Sequence, residues 1–453
     1  MSKPAEHIEF ELPLRRSART LPERVALICA GGEISYAELE RRAQQAARRL
    51  AAHDVEAGDR VATTLPPGVD FSALLHAVAM LGASLVPLNT RLSEAERRWQ
   101  LEDSRARVLV DEPVGGEEAD VPLRETFDPR AEHSLIYTSG TTSRPRAVSL
   151  THGNQMASAI ANAWNIGVDP DDRWLCVLPL FHVGGLAILV RSALYGTSAL
   201  VRERFDVDEV RADLEEGRAT VASFVSTMLR RLADAGLERA PRLRAALLGG
   251  GPVPRDLLEW AAARGLPVLQ TYGMTETASQ IATLRAEEAL QLKGSAGRPL
   301  LGVEISTSPE GEILARGPMV APGALGPDGW LHTGDRGRLD EDGYLWVDGR
   351  LKDVIVTGGE NVSCAEVEEA LLSHPAVSDA GVAAEPDAEW GEVVCAFVVA
   401  SDGVTADELI AHCRARLAPY KAPRRVEFLD QLPRNPAGKL VRRDLPVRGK
   451  TTT

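Results

Sequence analysis

Cysteine is scarce in this 453-residue chain, and the few cysteines lie far apart. No two of them form a C-x-x-C pair, so the sequence lacks the usual signatures of a structural metal site or a dithiol redox couple. Their number and spacing are typical of the reduced thiols of a cytosolic protein. The five positions are Cys29, Cys176, Cys364, Cys395 and Cys413.

Long hydrophobic runs are also missing. No stretch approaches 18 uninterrupted apolar residues, so we expect no membrane span. Residues 1–14 are charged and contain no long apolar core, so we expect no secretory signal peptide. Together these absences predict a cytoplasmic protein.

An excess of positive charge is lacking as well. The chain has 51 Lys and Arg against 65 Asp and Glu, which gives a formal net charge of −14. This balance argues against a general nucleic-acid binder and against a polybasic membrane anchor. Basic residues that meet an anionic substrate must therefore be placed locally against an acidic background.

The hydrophobic pattern predicts an α/β fold with largely parallel sheets. Apolar helices and short apolar strands alternate from residue 34 to residue 270, beginning with an amphipathic helix that ends near Ala52. From about residue 311 the chain changes to short strands separated by Gly, Pro and Asp turns, and a compact helix–strand–strand–helix–strand unit follows. We place a domain boundary at 349–352, with a large domain over 1–349 and a small one over 350–453.

A run of hydroxyl side chains around one glycine, at 137–148, is suited to a phosphate chain. Hydroxyl and backbone N–H groups donate to phosphate oxygens, and the arginines at 144 and 146 offset the negative charge. Gly140 lets the backbone come close. The run is not a Walker-type loop, which requires G-x-x-x-x-G-K-[ST]. A polar surface turn is the alternative interpretation of this run alone.

Several other segments offer glycine, hydroxyl, aromatic or charged side chains after predicted strands. In chain order they are LGGGP at 248–252, TYGMTET at 271–277, GSAGRP at 294–299, WLHTGD at 330–335, DGRLKD at 348–353, TGGEN at 357–361 and PRNPAGKL at 433–440.

Taken together and in this order, the segments resemble the adenylate-forming superfamily, which includes acyl-CoA synthetases, firefly luciferase and peptide-synthetase adenylation domains. The resemblance runs from about Ile34 to Leu445. Within the superfamily, LLGGGPVP, TYGMTETASQ and the short total length resemble the o-succinylbenzoate–CoA ligases of menaquinone biosynthesis. The resemblance implies a large N-terminal domain with α/β sheets and a small, mobile C-terminal α+β domain.

The resemblance also implies a two-step ligase reaction. A carboxylate attacks the α-phosphorus of ATP, giving an acyl-adenylate and pyrophosphate, and the thiol of coenzyme A then displaces AMP. ATP, Mg²⁺ and coenzyme A are therefore the expected cofactors and co-substrates, and a small carboxylic acid the expected partner. The carboxylate is already ionised, so catalysis consists mostly of positioning and charge stabilisation.

The superfamily's nucleotide-binding roles carry over to matching positions. The phosphate-binding residues would be Thr138, Ser139, Gly140, Thr141, Thr142 and Arg146. The adenine-binding residues would be Gly249, Gly250, Gly251 and Tyr272, and the ribose-binding residues Asp335 and Arg350. A structural salt bridge is the alternative interpretation of Arg350.

The remaining roles concern chemistry, the acid and domain motion. Glu276 would hold Mg²⁺, Thr275 would contact the α-phosphate, Lys439 would bridge the α-phosphate and the carboxylate, and His182 would stand beside the acyl channel. The residues that would hold the second carboxylate of o-succinylbenzoate are Arg191, with Ser223, Thr227, Ser279 and Gln280. The hinge would lie at Lys352. A core histidine and a helix arginine that reaches solvent are the alternatives for His182 and Arg191.

One departure from the superfamily falls in the phosphate loop. The usual Gly-x-Pro-Lys-Gly is replaced by Ser-Arg-Pro-Arg-Ala at 143–147. The positive charge is kept, but a forked guanidinium carries it in place of the compact ammonium group of lysine. Three functional alternatives stay open: another aryl or medium-chain acyl-CoA synthetase, an adenylation enzyme that loads a carrier protein, and a nucleotide-binding regulator without catalysis. The sequence leaves homo-oligomerisation open.

Overall fold

The computed structural model describes residues 8–138, 145–251, 253–289, 291–357, 360–387, 390–401, 403–434 and 439–448. The chain forms two compact units. The first contains the chain up to Ile305, together with Ala315–Leu331 and Glu341–Leu345; the second contains Ser306–Leu314, His332–Asp340 and the chain from Trp346 onward.

The helices in the described ranges are α1 (Pro13–Thr20), α2 (Tyr36–Ala52), α3 (Val69–Leu81), α4 (Glu94–Ser104), α5 (His152–Ile166), α6 (Val183–Tyr195), α7 (Val207–Glu215), α8 (Ser226–Asp234), α9 (Arg255–Ala263), α10 (Cys364–Leu372) and α11 (Ala406–Arg414). The strands are β1 (Phe10–Glu11), β2 (Val25–Cys29), β3 (Gly32–Ser35), β4 (Arg60–Thr63), β5 (Ser84–Pro87), β6 (Val108–Val110), β7 (Thr126–Phe127), β8 (Glu132–Thr138), β9 (Arg146–Thr151), β10 (Arg173–Cys176), β11 (Ser198–Val201), β12 (Val221–Phe224), β13 (Ala245–Leu248), β14 (Val268–Met274), β15 (Ser279–Thr283), β16 (Ser295–Pro299), β17 (Glu304–Thr307), β18 (Glu312–Arg316), β19 (Leu331–Leu339), β20 (Leu345–Arg350), β21 (Val354–Thr357), β22 (Glu360–Ser363), β23 (Val377–Asp387), β24 (Gly391–Ala400) and β25 (Arg425–Phe428).

The first unit contains two largely parallel sheets, as the alternation of helix and strand predicts. In one, the strand order is β3-β2-β11-β10-β12-β13-β14-β15-β16. The pairs from β2 to β14 are parallel, and antiparallel pairs close both edges. In the other, β6, β4, β5 and β8 are parallel and β9 pairs antiparallel with β8. Strands β5, β11, β12 and β13 are short and almost wholly buried, as expected where both faces of a parallel sheet are covered.

Helix α5 shows how local sequence sets the position of the site. Thr151 ends β9 and caps α5, because its hydroxyl accepts from the backbone N–H of Asn154 at 3.1 Å while the Asn154 amide oxygen accepts from the Thr151 N–H at 2.9 Å. Strand and helix therefore meet without an intervening loop. Ser158 and Asn162 are four residues apart on this helix, share one face and are both buried.

The second unit carries its own hydrophobic core. Strands β22, β21, β24 and β23 lie in that order, with β25 parallel to β24. Helices α10 and α11 pack on this sheet, and Phe397 and Val362 are fully buried. Strands β17, β18, β19 and β20 also follow one another, and most of their residues belong to this unit.

Four of the five thiols are buried. Burial raises the pKa of Cys176, Cys364 and Cys395 to about 12 and that of Cys413 to about 11. All five cysteines are free, and Cys29 is partly exposed. Within the described ranges, no helix combines the length and the apolar character that a bilayer crossing requires.

Candidate active site

The predicted ligand-binding segments of the first unit follow strands that are neighbours in one sheet. Strands β10, β12, β13 and β14 are adjacent and parallel, so their carboxyl ends lie at the same edge. Ligands bind at that edge in sheets of this kind. The segments that follow the four strands carry His182, Thr227, the glycines of 249–251 and Glu276.

The glycine turn after β13 leaves its backbone open to a flat ligand. Gly250 has φ +82°, a left-handed conformation that a side chain disfavours. A Cβ on Gly249 would lie 3.1 Å from the carbonyl oxygen of Thr271, whereas a Cβ on Gly251 would meet no atom within 4 Å. The first two glycines are therefore required by the turn, and Gly251 leaves space above it.

Strand β14 extends further than the sequence pattern predicts. Residues 271–274 are part of the strand rather than a loop after it, because they pair antiparallel with β15. Gly273 permits this pairing, since a Cβ there would lie 1.9 Å from the carbonyl oxygen of Ser279. Tyr272 is thus held on a strand and not on a mobile turn, and it is partly exposed.

A single 3₁₀ turn, Thr275–Thr277, carries Thr275 and Glu276. The buried hydroxyl of Thr277 fixes this turn. Its single proton lies within reach of the carbonyl oxygens of Met274 at 3.0 Å and Ser279 at 2.7 Å, and its oxygen accepts from the Met274 N–H at 3.0 Å. The carbonyl oxygen of Glu276 accepts from the N–H of Ala321 at 2.7 Å. The backbone of Glu276 is therefore held on both sides, while its partly exposed carboxylate lies at the end of β14.

Backbone strain occurs directly after this turn. Ala278 and Ser279 have φ values of +49° and +110°, which are unusual for residues with a side chain. Such conformations persist where the surrounding structure enforces them, and they occur often at binding sites. The Ser279 hydroxyl consequently points to the amide oxygen of Gln280, 3.2 Å away.

Arg191 of α6 is the most unusual charged residue of the first unit. It is 3% exposed. Its guanidinium donates to the amide oxygen of Gln280 at 3.1 Å and to the hydroxyl of Ser158 at 3.0 Å. Its central carbon lies 5.6 Å from the centroid of the Trp174 ring. The alternative of a side chain that reaches solvent is therefore wrong, and the role of Arg191 towards the acid stays a prediction.

No carboxylate of the described chain forms an ion pair with Arg191. Burial lowers the pKa of Arg191, and the neighbouring Tyr195 opposes that shift only in part. Arginine nevertheless stays protonated in proteins. The protein therefore holds a buried cation whose described partners are all neutral, and such a charge calls for an anion.

Polar side chains extend outward from Arg191. The Gln280 amide nitrogen donates to the Asn162 oxygen at 2.9 Å, and the Asn162 amide nitrogen donates to the Tyr195 hydroxyl at 3.3 Å. The indole N–H of Trp174 donates to the Ser223 hydroxyl at 3.1 Å. The structure therefore brings Arg191, Ser223, Ser279 and Gln280 into one connected cluster. Thr227 is exposed at the start of α8 and is outside this network of hydrogen bonds.

Sequence reasoning missed the residues that hold this cluster together. They are Ser158, Asn162, Trp174 and Tyr195, which stand in no recognisable motif, and Thr277, which ends the TYGMTET segment but has no role assigned from it. The spacing of four residues between Ser158 and Asn162, on a helix without a charged residue, is the one available signal.

The predicted phosphate loop lies between β8 and β9, which pair antiparallel. Thr138 and Arg146 face each other as the last pair, and the Thr138 hydroxyl donates to the carbonyl oxygen of Arg146 at 3.3 Å. Arg146 is exposed. Ser139, Gly140, Thr141 and Thr142 lie outside the described residues. The antiparallel pairing thus places the two described ends of the loop side by side.

His182 is the N-cap residue of α6, after β10. Its ring lies edge-to-face against Phe181, with the centroids 4.7 Å apart, and it is partly exposed. Arg191 lies on the same helix, nine residues further on. Helix α6 therefore carries both residues that the sequence assigns to the acyl channel.

In the second unit, Asp335, Arg350 and Lys439 influence one another. The Arg350 Nε lies 3.0 Å from the Asp335 carboxylate, and its Nη1 donates to the carbonyl oxygen of Thr333 at 3.1 Å. Asp335 is buried. The pKa of Lys439 is lowered by desolvation and by the charge of Arg350, and Asp335 opposes this. The three predicted nucleotide ligands of this unit therefore form one charged cluster.

Lys352 lies in a 3₁₀ turn, Leu351–Asp353, between β20 and β21.

Within the described ranges no cluster of three or more His, Cys, Asp or Glu side chains could enclose a metal ion. A Mg²⁺ ion at Glu276 would therefore have to be held by few protein oxygens together with the oxygens of a ligand, as Mg²⁺ often is in phosphate sites.

Family models match both parts of the chain. The AMP-binding enzyme family matches residues 14–325, and the AMP-binding enzyme C-terminal domain matches residues 366–439. The chain therefore belongs to the AMP-binding family of adenylate-forming enzymes, as its motifs predict.

Individual relatives match nearly the whole chain. The 2-succinylbenzoate–CoA ligase of Bacillus cereus is 41% identical over 467 residues, covering 95% of this chain and 97% of the relative. The o-succinylbenzoate CoA synthetase of Bacillus subtilis in complex with the acyl-adenylate intermediate OSB-AMP has a TM-score of 0.93 at 39% identity, covering 98% of this chain and 100% of the other. The same synthetase with ATP and magnesium ion has a TM-score of 0.92 at 39% identity, covering 97% and 100%.

Proposed function

We propose that this protein is an o-succinylbenzoate–CoA ligase that works through an acyl-adenylate. The observation that carries the proposal is the buried Arg191, whose described partners are all neutral. o-Succinylbenzoate has two carboxylates, and only the succinyl one is activated. The benzoate carboxylate then supplies the anion that Arg191 calls for.

Recognition of the acid follows from the polar cluster. Arg191 pairs with the benzoate carboxylate directly or through a water, because a charge-assisted hydrogen bond is the strong interaction available in a buried site. Gln280 and Ser158 hold the guanidinium in place, and Ser223 and Ser279 offer further hydroxyls. A monoacid leaves Arg191 without an anion, so it is selected against.

In the first step, a succinyl carboxylate oxygen bonds to the α-phosphorus of ATP and the bond from that phosphorus to the bridging oxygen of pyrophosphate breaks. Thr138, Arg146 and the rest of the 138–142 loop hold the β- and γ-phosphates, and Thr275 contacts the α-phosphate. Mg²⁺, held by Glu276, neutralises phosphate charge when bound. Lys439 stabilises the charge that develops between the carboxylate and the α-phosphate.

Separate groups of residues bind the adenine and the ribose. Tyr272 stacks on the adenine while 249–251 lets the base lie close to the backbone. Asp335 accepts from the ribose hydroxyls, and Arg350 orients that carboxylate through their ion pair. Arg350 would thus have both roles considered for it: it would bind the nucleotide, and it forms the salt bridge with Asp335.

In the second step, the sulfur of coenzyme A bonds to the acyl carbon, the thiol proton passes to solvent, and the acyl–oxygen bond breaks so that AMP leaves with the electron pair. The small domain has to turn at Lys352 between the steps, because Lys439 serves only the first. The large domain spans 1–349 and the small domain 350–453 in this proposal. Because ATP and coenzyme A are cytoplasmic metabolites and the thiols are free, we place the reaction in the cytoplasm.

A panel of acids tests the proposal. We expect AMP release to require both o-succinylbenzoate and coenzyme A, with benzoate and medium-chain fatty acids far poorer substrates. ATP–pyrophosphate exchange without coenzyme A separates adenylation from transfer. Equal turnover of fatty acids would leave a general acyl-CoA synthetase, transfer only to a phosphopantetheine carrier protein would indicate a carrier-loading enzyme, and no exchange with any acid would indicate a nucleotide-binding regulator.

A further inference from the structure

Arg442 lies three residues after Lys439 and is held by three different parts of the second unit. Its Nε donates to the carbonyl oxygen of Val382 in β23 at 3.1 Å, and its Nη2 donates to the carboxylate of Glu368 in α10 at 2.6 Å. Its Nη1 donates to the carboxylate of Asp353, the last residue of the turn that carries Lys352. One side chain therefore joins the hinge turn, a helix and a strand.

The cluster around Arg442 consists of one guanidinium and two carboxylates, all largely buried. The Glu368 carboxylate also accepts from the Val382 N–H at 2.8 Å, so Arg442 and Glu368 bind the two backbone groups of one residue. The side chains of Arg442, Asp353 and Glu368 are 24, 24 and 13% exposed. Arginine presents its donors in a rigid planar fork, so three simultaneous contacts fix its position in a way that lysine cannot reproduce.

The segment that carries Lys439 is anchored on its other side too. Arg434 and Leu440 form an isolated bridge, and Arg434 donates to both oxygens of Asp379 at 2.6 and 2.8 Å. Leu440 packs on Gly381, where a Cβ would lie 3.0 Å from the leucine side chain. Lys439 thus stands between two anchors, and only the Arg442 anchor reaches the hinge turn.

We infer that Arg442 is a positioning residue that couples the hinge turn to Lys439, so that the orientation of the small domain and the placement of the lysine change together. The inference rests on the proposed function, because it needs Lys439 to act in adenylation. Arg442 would contact neither the acid nor the nucleotide, and would act entirely through Lys439 and Asp353.

A double-mutant cycle tests the coupling. The variants are Arg442→Met, Lys439→Ala and both together, and the rate of adenylation is measured in single turnover at saturating ATP and acid. We expect Arg442→Met to slow adenylation by about 10²-fold, the loss typical of a small misplacement of a catalytic group. We expect its further effect on the Lys439→Ala background to stay below about 3-fold, because residues that act as one unit are not additive. The KM values for ATP and acid should stay nearly constant.

Arg425 provides the matched control. It lies in the same unit, its side chain is 18% exposed, and its described ion-pair partners, Glu385 at 2.8 Å and Glu427, are not residues of the hinge turn. Arg425→Met should leave the adenylation rate within about 3-fold of wild type. Arg442→Lys and Asp353→Asn keep more of the cluster, so their adenylation rates should lie between those of wild type and Arg442→Met. These two variants test the inference if Arg442→Met does not fold.

Additive losses in the cycle, or equal losses in Arg442→Met and Arg425→Met, would overturn the inference and leave Arg442 as a purely structural residue. The acid used is whichever supports pyrophosphate exchange in the wild-type protein. Failure of o-succinylbenzoate as a substrate would therefore count against the proposed function, and additivity with a good substrate would count against Arg442.

Discussion

The guanidinium of Arg191 donates to the amide oxygen of Gln280 over 3.1 Å, and that amide in turn donates to Asn162 over 2.9 Å. The amide of Gln280 is thereby fixed with its oxygen toward the arginine. Rotation of the Gln280 side chain would not give Arg191 a further acceptor, and the proposed function assigns the remaining guanidinium donors to the second carboxylate of the acid.

Replacing Arg191 by methionine should raise the KM for o-succinylbenzoate by about 10²-fold, since truncating one partner of a buried charge pair costs roughly 2–5 kcal/mol. The KM for ATP should change little. Steady-state kinetics with both substrates measures the difference, and an analogue without the benzoate carboxylate should be used equally by wild type and variant. Arg264→Met, which removes an arginine lying 4.9 Å over the Trp260 ring, is the control. A parallel rise in both KM values would contradict the assignment.

Replacing Lys439 by alanine should slow adenylation by about 10²–10³-fold, the usual cost of losing one such charge-stabilising group. Thioester formation from a supplied acyl-adenylate should remain largely intact. Because the pKa of Lys439 is lowered, wild-type adenylation should decline with rising pH before an ordinary lysine would lose its proton. A pH–rate profile for each half-reaction measures this. Equal damage to both half-reactions would show that the lysine is structural.

Proline at position 352 should slow thioester formation more than adenylation. It fixes φ and removes the backbone N–H in the turn that joins β20 and β21, so it hinders rotation there. Pre-steady-state rates of the two steps give the comparison, and Lys352→Ala separates the loss of the side chain from the loss of backbone freedom. Rates that fall together, or a thioester rate that does not fall, would place the hinge elsewhere.

A histidine cluster in the first unit should make stability fall in mild acid. Burial lowers the pKa of His133 to about 4 and that of His76 to about 3, and it lowers the pKa of His152 despite the opposing charge of Asp128. The rings of His133 and His152 meet edge-to-face, 4.9 Å apart. Between the ordinary pKa near 6.5 and the lowered values the unfolded chain binds more protons, so stability decreases as pH falls through this window.

Each buried histidine contributes a slope of up to about 1.4 kcal/mol per pH unit in that window. Urea unfolding of wild type, His133→Gln and the exposed control His53→Gln at pH 7 and at pH 5 measures the slope. We expect the loss between the two pH values to be smaller in His133→Gln alone. A loss that is the same in all three proteins would show that other groups control acid stability.

The sequence predicts the fold well where apolar periodicity decides it. Helix α2 ends at Ala52 as its amphipathic pattern requires, and the predicted helix–strand–strand–helix–strand unit is present as α10, β23, β24, α11 and β25. The pattern fails where the pairing of strands sets the length of a strand. Strand β14 continues through Met274 because β15 hydrogen-bonds to it, and polar residues such as Thr271 give no local sign of that partner.

The site divides in the same way. Glycine turns, hydroxyl runs and the histidine–arginine spacing on α6 can be read from the sequence, because each is local. The support of Arg191 by Ser158, and of the Glu276 turn by the Thr277 hydroxyl, depends on contacts made after folding. The ion pair of Arg350 with Asp335, 15 residues apart in the chain, is another contact that no local pattern reveals.

The buried thiols bear on how the protein survives its own intermediate. An acyl-adenylate acylates any accessible thiolate, whether or not that thiolate belongs to coenzyme A. A thiol with a pKa of 11 to 12, as at Cys413 and Cys176, is only about 10⁻⁴ to 10⁻⁵ thiolate at pH 7. Four of its five cysteines are thereby poor nucleophiles towards the activated ester, so self-acylation is expected first at the partly exposed Cys29.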